Sequence, residues 1–222
     1  MAALDFPHWE ATPGVTRESI RTLAQLPSVR PFYLAGGTAL ALRLGHRLSL
    51  DLDLFANLEE LGEDLRRTIR RELGVLQAEE ALQDSPLGLV LKAGEQAISF
   101  FTYGYSLLEP TDPVEGLQVA RLLDLGLMKL DAVAGRGERK DFYDLYILCR
   151  QVALDRLFDR VEEKYPHSPG FRSLVLSALV DFDKADQQVD PTLLVPVAWP
   201  TVKEFFLSET ARLGREWLDL IE

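Results

Sequence analysis

The sequence predicts an α+β protein in which a mixed α/β half is followed by an all-helical half. Residues 32–55 read as an apolar strand, a glycine turn, a short helix and a second strand. Residues 87–103 contain two apolar segments joined by Ala93-Gly94-Glu95, which is a hairpin signal. From residue 123 onward the apolar residues recur at helical spacing. We therefore expect the strands in the first half of the chain.

Each element follows from its local pattern. The first helix has Ile20 and Leu23 on one face and is followed by Pro27. Thr38 is a suitable N-cap for the second helix, which Gly45 ends. The predicted helices cover residues 16–26, 39–44, 61–73, 123–134, 140–150, 155–164, 171–180 and 201–220, and the predicted strands cover residues 32–35, 50–55, 87–92, 96–103 and 117–120.

A domain boundary is predicted near the middle of the chain. Residues 109–116 contain two prolines and little core material, which is typical of a hinge. We expect an α/β core over residues 1–112 and a helical domain over residues 113–222.

Composition limits the function classes. The formal charge of −11 over 222 residues argues against a protein that coats nucleic acid non-specifically, although a local basic groove remains compatible with it. The single cysteine, Cys149, has no disulfide partner within the chain, which suits a reducing compartment. The sequence has neither the pattern of a secretion signal nor a membrane-spanning apolar run. We expect a cytoplasmic protein with no membrane partner.

Asp51 and Asp53 are the first candidates for chemistry. Side chains two apart on a strand share one face, and their Cα atoms are about 6.5–7 Å apart. Two such carboxylates can hold one or two Mg²⁺ ions at a site of phosphoryl chemistry. The alternative is that they form the polar face of an edge strand.

The Gly36-Gly37-Thr38 turn leads into a helix whose first N–H groups can cradle phosphate. Alone, such a turn is often only a steric device and matches no nucleotide-binding fingerprint. With the acidic pair downstream, it predicts a metal–triphosphate site. The guanidinium of Arg47 is suited to bidentate hydrogen bonds with phosphate oxygens, and Ser49 lies on the same face of the strand as the acidic pair. His46 fits a packing role as well as a substrate contact.

A second cluster lies in the helical half. Asp141 and Asp144 are one helical turn apart and face together. Lys129 lies mid-helix among leucines, where a charge requires a partner. Lys129 therefore either pairs with Asp144 as an internal clamp or binds phosphate, and the two roles are compatible.

Two further groups of side chains admit more than one interpretation. The arginines at 66, 67, 70 and 71 suit an RNA backbone or a solvated face paired with Glu59, Glu63 and Glu72. Aromatic side chains suit base stacking or core packing, and these are Tyr103, Tyr105, Trp199 and Trp217.

The two clusters together resemble a known family. The first motif consists of residues 34–42 (Leu-Ala-Gly-Gly-Thr-Ala-Leu-Ala-Leu) and residues 46–55 (His-Arg-Leu-Ser-Leu-Asp-Leu-Asp-Leu-Phe). The second motif consists of Lys129, Arg136 and residues 140–146 (Lys-Asp-Phe-Tyr-Asp-Leu-Tyr). This combination is similar to the abortive-infection nucleotidyltransferase toxins of AbiEii/AbiGii type. Residues 181–186 and 199–206 fit as well, so the resemblance covers nearly the whole chain.

The resemblance implies a polymerase-β-like nucleotidyltransferase core followed by a helical domain. It also implies Mg²⁺-dependent transfer of a nucleotide from an NTP to an acceptor such as a tRNA 3′ end, within a toxin–antitoxin pair. By matched position, the resemblance makes Asp51 and Asp53 metal ligands, places Gly37 and Thr38 under the triphosphate, gives Lys129 to phosphate, and makes Asp144 the second-cluster acid with Asp141 beside it. The residue patterns and the resemblance together predict a site with three sets of residues. The catalytic set is Asp51, Asp53, Lys129 and Asp144, the nucleotide-binding set is Gly36, Gly37, Thr38, Arg47, Ser49 and Lys129, and the supporting set is Arg136, Lys140 and Asp141.

One departure from the wider fold leaves alternatives open. A third carboxylate is expected on the strand over residues 96–103, where this sequence has Ser99 and Phe101. Either Asp144 or Asp141 supplies that role, or the chain is a catalytically lapsed nucleotide-binding or partner-binding module. A third possibility is nucleotidyl transfer to a small molecule such as an aminoglycoside.

Overall fold

The computed structural model describes residues 6–78 and 80–219, without the side chains of residues 217–219. The chain divides into two compact units, Met1–Arg121 and Leu122–Glu222. The first unit contains the strands and the second is helical, in agreement with the predicted α+β class. The division follows residue 121, whereas the sequence predicts it after residue 112.

A mixed β-sheet is the framework of the first unit. Its strands are β1 (Tyr33–Ala35), β2 (Leu52–Ala56), β3 (Glu80–Ser85), β4 (Gly88–Ala93), β5 (Gln96–Thr102), β6 (Asp112–Val114) and β7 (Leu117–Val119). Within the described residues they form one seven-stranded sheet in the order β3-β4-β5-β2-β1-β7-β6. Strand β2 lies between β1, which is antiparallel to it, and β5, which is parallel. The strands next to the glycine turn and the acidic pair are thus neighbours in the centre of the sheet.

Alternation along the central strands separates a core face from a polar face. Leu52 and Leu54 are fully buried, and the side chain of Asp53 points to the opposite face. The helices of this unit are α1 (Gly14–Leu23), α2 (Gly36–Leu44) and α3 (Glu63–Leu73). Helix α1 lies against the core face of β5, because Thr16 and Ser19 contact the buried side chain of Gln96 through hydrogen bonds.

The segment predicted as a hinge is part of the sheet. Residues 109–116 contribute strand β6 and the turn into β7, and β7 pairs with β1. The Glu115 carboxylate in this turn accepts hydrogen bonds from Arg17 (2.6 Å) and Arg21 (2.9 Å) of α1. Pro113 is compatible with the edge strand β6, where a missing N–H costs no central ladder bond. The two prolines therefore mark a short edge hairpin.

The second unit consists of helices. They are α4 (Leu122–Gly135), α5 (Arg139–Leu148), α6 (Leu154–Asp159), α7 (Val161–Lys164), α8 (Phe171–Ala178), α9 (Asp183–Asp186) and α10 (Trp199–Asp219). The sequence predicts α6 and α7 as one helix, but the backbone leaves the helical conformation at Arg160 (φ −106°, ψ 0°). Among the described residues, no helix is both long and apolar enough to cross a membrane.

Aromatic side chains form much of the core of this second unit. The Phe142 ring lies 5.2 Å from Phe182, 5.8 Å from Trp199 and 5.6 Å from Phe206, centroid to centroid. Trp199 is 7% exposed, so it packs in the core, which is one of the two roles that the sequence allows. The side chain of Trp217 lies outside the described residues.

Three of the four arginines of α3 form ion pairs with carboxylates. Arg66 and Arg70 both form ion pairs with Asp84 of β3, and Arg67 pairs with Glu63 at 2.8 Å. This arrangement fits the interpretation of α3 as a solvated, paired face. The pairing with Asp84 is not predicted by the sequence, because it joins elements that are distant along the chain.

Candidate active site

The glycine turn lies directly against the carboxylate of Asp53. Ala35, the last residue of β1, is the register partner of Asp53 on β2, and Gly36 follows with φ +66°. A Cβ atom on Gly36 would lie 2.5 Å from Oδ2 of Asp53 and 3.1 Å from its Cβ. Both the backbone conformation and the space therefore require glycine at this position.

The second glycine of the turn lies against Arg47 and Ser49. A Cβ atom on Gly37 would clash with Nη2 of Arg47 and would lie 3.3 Å from Oγ of Ser49. The Arg47 side chain is largely buried, and its Nη1 donates a hydrogen bond to the Leu48 carbonyl (3.0 Å). The guanidinium therefore adds a positive charge beside the first turn of α2, where the helix dipole is also positive.

Thr38 has a different role from the predicted one. The N-cap of α2 is Ala35, which makes no side-chain cap bond, so the predicted capping role of Thr38 is wrong. Its hydroxyl instead contacts Oγ of Ser49 (2.8 Å) and the carbonyl of Asp51. Thr38 is 1% exposed and connects the start of α2 to the segment that leads into β2.

Asp51 precedes β2 and is exposed. Its Oδ1 accepts a hydrogen bond from the backbone N–H of Ala97 (2.9 Å), which fixes the orientation of the carboxylate. Leu50, the preceding residue, has its carbonyl held by Nε2 of Gln96 at 2.6 Å. The position of Asp51 therefore depends on contacts from β5 as well as on its own strand.

The residue on β5 that lies beside Asp53 is Ser99. Its side chain is buried, and Phe101 is paired with Phe55 at the next position on this face. Glu95 is exposed in the turn before β5. The sheet register therefore places the hydroxyl of Ser99 where the resemblance predicts a third carboxylate.

The acidic pair fits a Mg²⁺ site that substrate completes. Within the described residues, no group of three or more His, Cys, Asp or Glu side chains is arranged to hold a metal ion. Asp51 and Asp53 form a pair of hard oxygen donors beside a helix N-terminus. Mg²⁺ commonly binds one or two carboxylates together with water and substrate phosphates, so this donor set fits it.

The second predicted cluster is a buried ion-pair network in the helical unit. The Nζ atom of Lys129 on α4 lies 2.8 Å from Asp141 and 2.8 Å from Asp144, both on α5. Nε of Arg136 also contacts Asp141, at 2.7 Å. The side chains of Lys129, Asp141 and Asp144 are 5%, 0% and 0% exposed, respectively. The internal clamp that the sequence allows is present, with Asp141 as an additional partner.

The charges of this network are mutually stabilised. Burial alone would lower the pKa of Lys129, but the carboxylates of Asp144 and Asp141 outweigh it and raise the pKa above its ordinary value. Burial would raise the pKa of Asp141, whereas Arg136 and Lys129 hold it below its ordinary value. Lys129 is therefore a persistent cation and Asp141 a persistent anion at neutral pH.

The structure brings the predicted residues together in two groups. One group, in the first unit, contains Gly36, Gly37, Thr38, Arg47, Ser49, Asp51 and Asp53. The other, in the helical unit, contains Lys129, Arg136, Asp141 and Asp144, while Lys140 pairs with Glu138 at 3.0 Å. His46 is fully buried. Sequence reasoning missed Gln96, whose only signal is an amide at the start of an otherwise apolar strand.

Comparisons with known proteins show the family to which the chain belongs. Residues 20–105 match the family described as "Nucleotidyl transferase AbiEii toxin, Type IV TA system". An uncharacterized protein of Aquifex aeolicus (strain VF5) is 35% identical over 194 residues, which cover 86% of this chain and 91% of that protein. The matched range includes the glycine turn, the acidic pair and β5.

Two solved structures share the fold. MenT4, a nucleotidyltransferase toxin from Mycobacterium tuberculosis H37Rv, has 17% identity and a TM-score of 0.52, over 89% of this chain and 83% of its own. The antibiotic-resistance factor ANT(2'')-Ia has 12% identity and a TM-score of 0.51, over 67% of this chain and 90% of its own. Both likenesses concern the fold alone. The two sequence matches show the family: the chain belongs to the AbiEii family of nucleotidyltransferase toxins.

Proposed function

We propose that this chain transfers a nucleotide from an NTP to the 3′ end of tRNA in a Mg²⁺-dependent reaction, as the toxin of a cytoplasmic toxin–antitoxin pair. The observation that carries the proposal is the contact between Gly36 and the Asp53 carboxylate, with Asp51 at the entrance to the same strand. A phosphate-binding helix start and an acidic pair thereby form one site.

Asp51 and Asp53 would hold the metal. Bound Mg²⁺ neutralises charge on the transferring phosphoryl group and on its leaving pyrophosphate. The chain's own contribution is to orient both carboxylates. The Ala97 N–H does this for Asp51, and close packing against Gly36 limits the positions open to Asp53.

The start of α2 would hold the triphosphate. The first N–H groups of a helix have no acceptor within that helix, so they are available to phosphate oxygens. Gly37 has no side chain that would shield these groups, and the buried Arg47 adds positive charge beside them. Thr38 and Ser49 then act as positioning residues, because their hydroxyls contact one another.

The roles of the helical unit stay predictions. Lys129 is predicted to bind phosphate, and Asp144 or Asp141 is predicted to help deprotonate the acceptor hydroxyl. A carboxylate whose pKa lies below its ordinary value is a weaker base, and Asp141 is such a group. Asp141 is therefore poorly suited to this step, and Asp144 stays the predicted residue for it, with Arg136 and Lys140 in support.

The proposal is tested by incubating the purified protein with each α-labelled NTP, Mg²⁺ and total tRNA. Asp51→Ala is the catalytic control, and tRNA whose terminal diol has been oxidised by periodate is the acceptor control. We expect label on intact tRNA only, and only with the unsubstituted protein. Equal labelling by Asp51→Ala contradicts the site, and labelling of oxidised tRNA contradicts the 3′ end.

Two other outcomes would assign a different function. Transfer to aminoglycosides but not to tRNA would identify a small-molecule nucleotidyltransferase. Binding of NTP and Mg²⁺ without transfer to any acceptor would identify a nucleotide-binding module.

A further inference from the structure

A row of aromatic rings crosses the centre of the sheet beside the acidic pair. Tyr33, Phe55 and Phe101 are register partners across β1, β2 and β5. The Phe55 ring centroid lies 6.3 Å from that of Tyr33 and 5.5 Å from that of Phe101. Tyr103, just beyond β5, packs edge-on against Phe55 at 5.7 Å. These four side chains form an aromatic row.

The aromatic row lies on the polar face of the sheet. Residues two apart on a strand share a face, so Phe55 is on the same face as Asp53, and Phe101 is on the same face as Ser99. Phe55, Phe101 and Tyr103 are half-buried and can offer a surface to a ligand, Tyr33 is buried (8% exposed) and supports them, and Phe100 on the opposite face is fully buried. One repeat along the strand, about 7 Å, separates Asp53 from the aromatic row.

The glycine turn and the aromatic row lie on opposite sides of Asp53 along the strands. Ala35 is level with Asp53, and the chain continues from Ala35 into Gly36 and Gly37. Tyr33, which precedes Ala35 on β1, is level with Phe55. Going along β1, the order is therefore aromatic row, Asp53, glycine turn, and Asp51 lies on the side of the glycine turn because β2 is antiparallel to β1.

This order determines which substrate meets the aromatic row. In an in-line displacement, the attacking and leaving oxygens are on opposite sides of the phosphorus. If the leaving pyrophosphate is held by the glycine turn, the acceptor must approach from the side of the aromatic row. The acceptor is thus the substrate whose terminal group comes closest to Phe55 and Phe101.

We propose that the aromatic row stacks on the last base of an RNA acceptor and so presents its terminal ribose hydroxyl to the site. This inference rests on the proposed nucleotidyl transfer. Half-buried rings provide a π-face for a planar base, and stacking of this kind strengthens binding by about 5- to 150-fold per base. An aminoglycoside has no planar ring with which to use such a surface.

Binding of a short RNA with a single-stranded 3′ end tests the proposal without requiring transfer. The last base is 2-aminopurine, whose fluorescence is quenched when it stacks. Phe101→Leu and Phe55→Leu retain apolar volume and remove the ring. Phe100→Leu is the matched control, because it removes the neighbouring ring from the opposite face of the same strand. All variants are compared at a temperature where circular dichroism shows them folded.

We expect quenching with the unsubstituted protein and with Phe100→Leu, and about tenfold weaker binding without quenching for the two row variants. An RNA that lacks its last base should bind the unsubstituted protein as weakly as the intact RNA binds Phe101→Leu. The affinity of this RNA should not fall further with Phe101→Leu, since removing the base and removing the ring abolish the same stacking interaction.

Three results would overturn the inference. The first is that the unsubstituted protein does not bind the RNA or does not quench its last base. The second is that the RNA affinity of both row variants is unchanged. The third is that the row variants raise the dissociation constant of NTP and leave that of RNA unchanged. The last would assign the row to the incoming nucleotide. Loss of transfer with intact quenching would contradict the proposed function alone, because the binding readout is independent of catalysis.

Discussion

The Asp53 carboxylate occupies the space that a side chain on Gly36 would need, with its Oδ2 2.5 Å from the position of a Cβ atom there. This contact joins the glycine turn to the acidic pair, which belong to different elements of the chain. It arises because Ala35 and Asp53 are register partners and the chain turns immediately after Ala35. The site therefore depends on the pairing of β1 with β2.

Replacing Gly36 by alanine should abolish transfer. The new methyl group would displace the Asp53 carboxylate, and the φ of +66° adds backbone strain of about 1–2 kcal/mol. Gly94→Ala is a matched control, because Gly94 has φ +61° but no described heavy atom within 4 Å of an added Cβ. Both variants should lose stability in thermal unfolding through backbone strain, with a larger loss for Gly36→Ala because of its clash with Asp53, and only Gly36→Ala should lose transfer. Equal activity in the two variants would contradict the importance of the contact.

Gln96 should act as a positioning residue for Asp51. Its Nε2 donates to the Leu50 carbonyl, and its Oε1 accepts a hydrogen bond from Ser19 (2.7 Å). Gln96→Leu removes both of these hydrogen bonds and the one to Thr16 (3.2 Å), whereas Ser19→Ala removes only the hydrogen bond from Ser19. We expect Gln96→Leu to lower transfer by about 10- to 100-fold and to raise the Mg²⁺ concentration for half-maximal activity.

Ser19→Ala should leave that Mg²⁺ dependence unchanged. If Gln96→Leu lowers only the melting temperature and keeps the Mg²⁺ dependence, the role of Gln96 is purely structural. The Mg²⁺ titration therefore separates positioning of Asp51 from general stability.

Much of this site could be predicted from the sequence because its elements are local. The glycine turn, both flanking strands and the hairpin over β4 and β5 follow from apolar runs bounded by glycine. The strands missed or misinterpreted are edge strands. Residues of β3 are mostly exposed, so they carry no alternating core signal, and the two-proline segment around β6 reads as a hinge.

The sequence also does not predict which residues contact one another when they are distant along the chain. The sequence indicates that Lys129 needs a counter-charge, but the choice of both Asp141 and Asp144 follows from the packing of α4 against α5. In the same way, the hydroxyl of Thr38 turns from the helix start to the carbonyl of Asp51 because β2 lies beside it.

Lys129→Met should strongly destabilise the protein. It would leave the buried carboxylates of Asp141 and Asp144 without their shared cation, and breaking such a network typically costs about 3–5 kcal/mol. Lys140→Met is the control, because Lys140 is about half exposed and should change the free energy of unfolding by less than about 1 kcal/mol. Urea denaturation measures both. Similar values for the two variants would contradict a structural role for the network.

Glu115 should make stability depend on acid pH. Hydrogen bonds from Arg21 and Arg17 lower the pKa of Glu115 from 4.5 to about 2. Since the folded-state pKa is the lower one, the stabilisation is present above pH 4.5 and is lost as the pH falls towards 2. Glu115→Gln should be less stable than the unsubstituted protein at pH 7, and the difference should shrink over this range.

Glu60→Gln serves as the control for this pH dependence, because Glu60 is an exposed loop residue. Its difference from the unsubstituted protein should stay small and constant. A difference for Glu115→Gln that does not change between pH 7 and pH 2 would show that its ion pairs do not stabilise the fold.

The central claim is that Asp53, held over the glycine turn, belongs to the nucleotidyl-transfer site. Asp53→Asn keeps the size of this side chain and removes its charge, and labelled nucleotide transfer to tRNA over a Mg²⁺ titration measures the effect. We expect the variant to fold with an unchanged melting temperature and to transfer no nucleotide at any Mg²⁺ concentration. Transfer at the rate of the unsubstituted protein, with the same Mg²⁺ dependence, would contradict the claim.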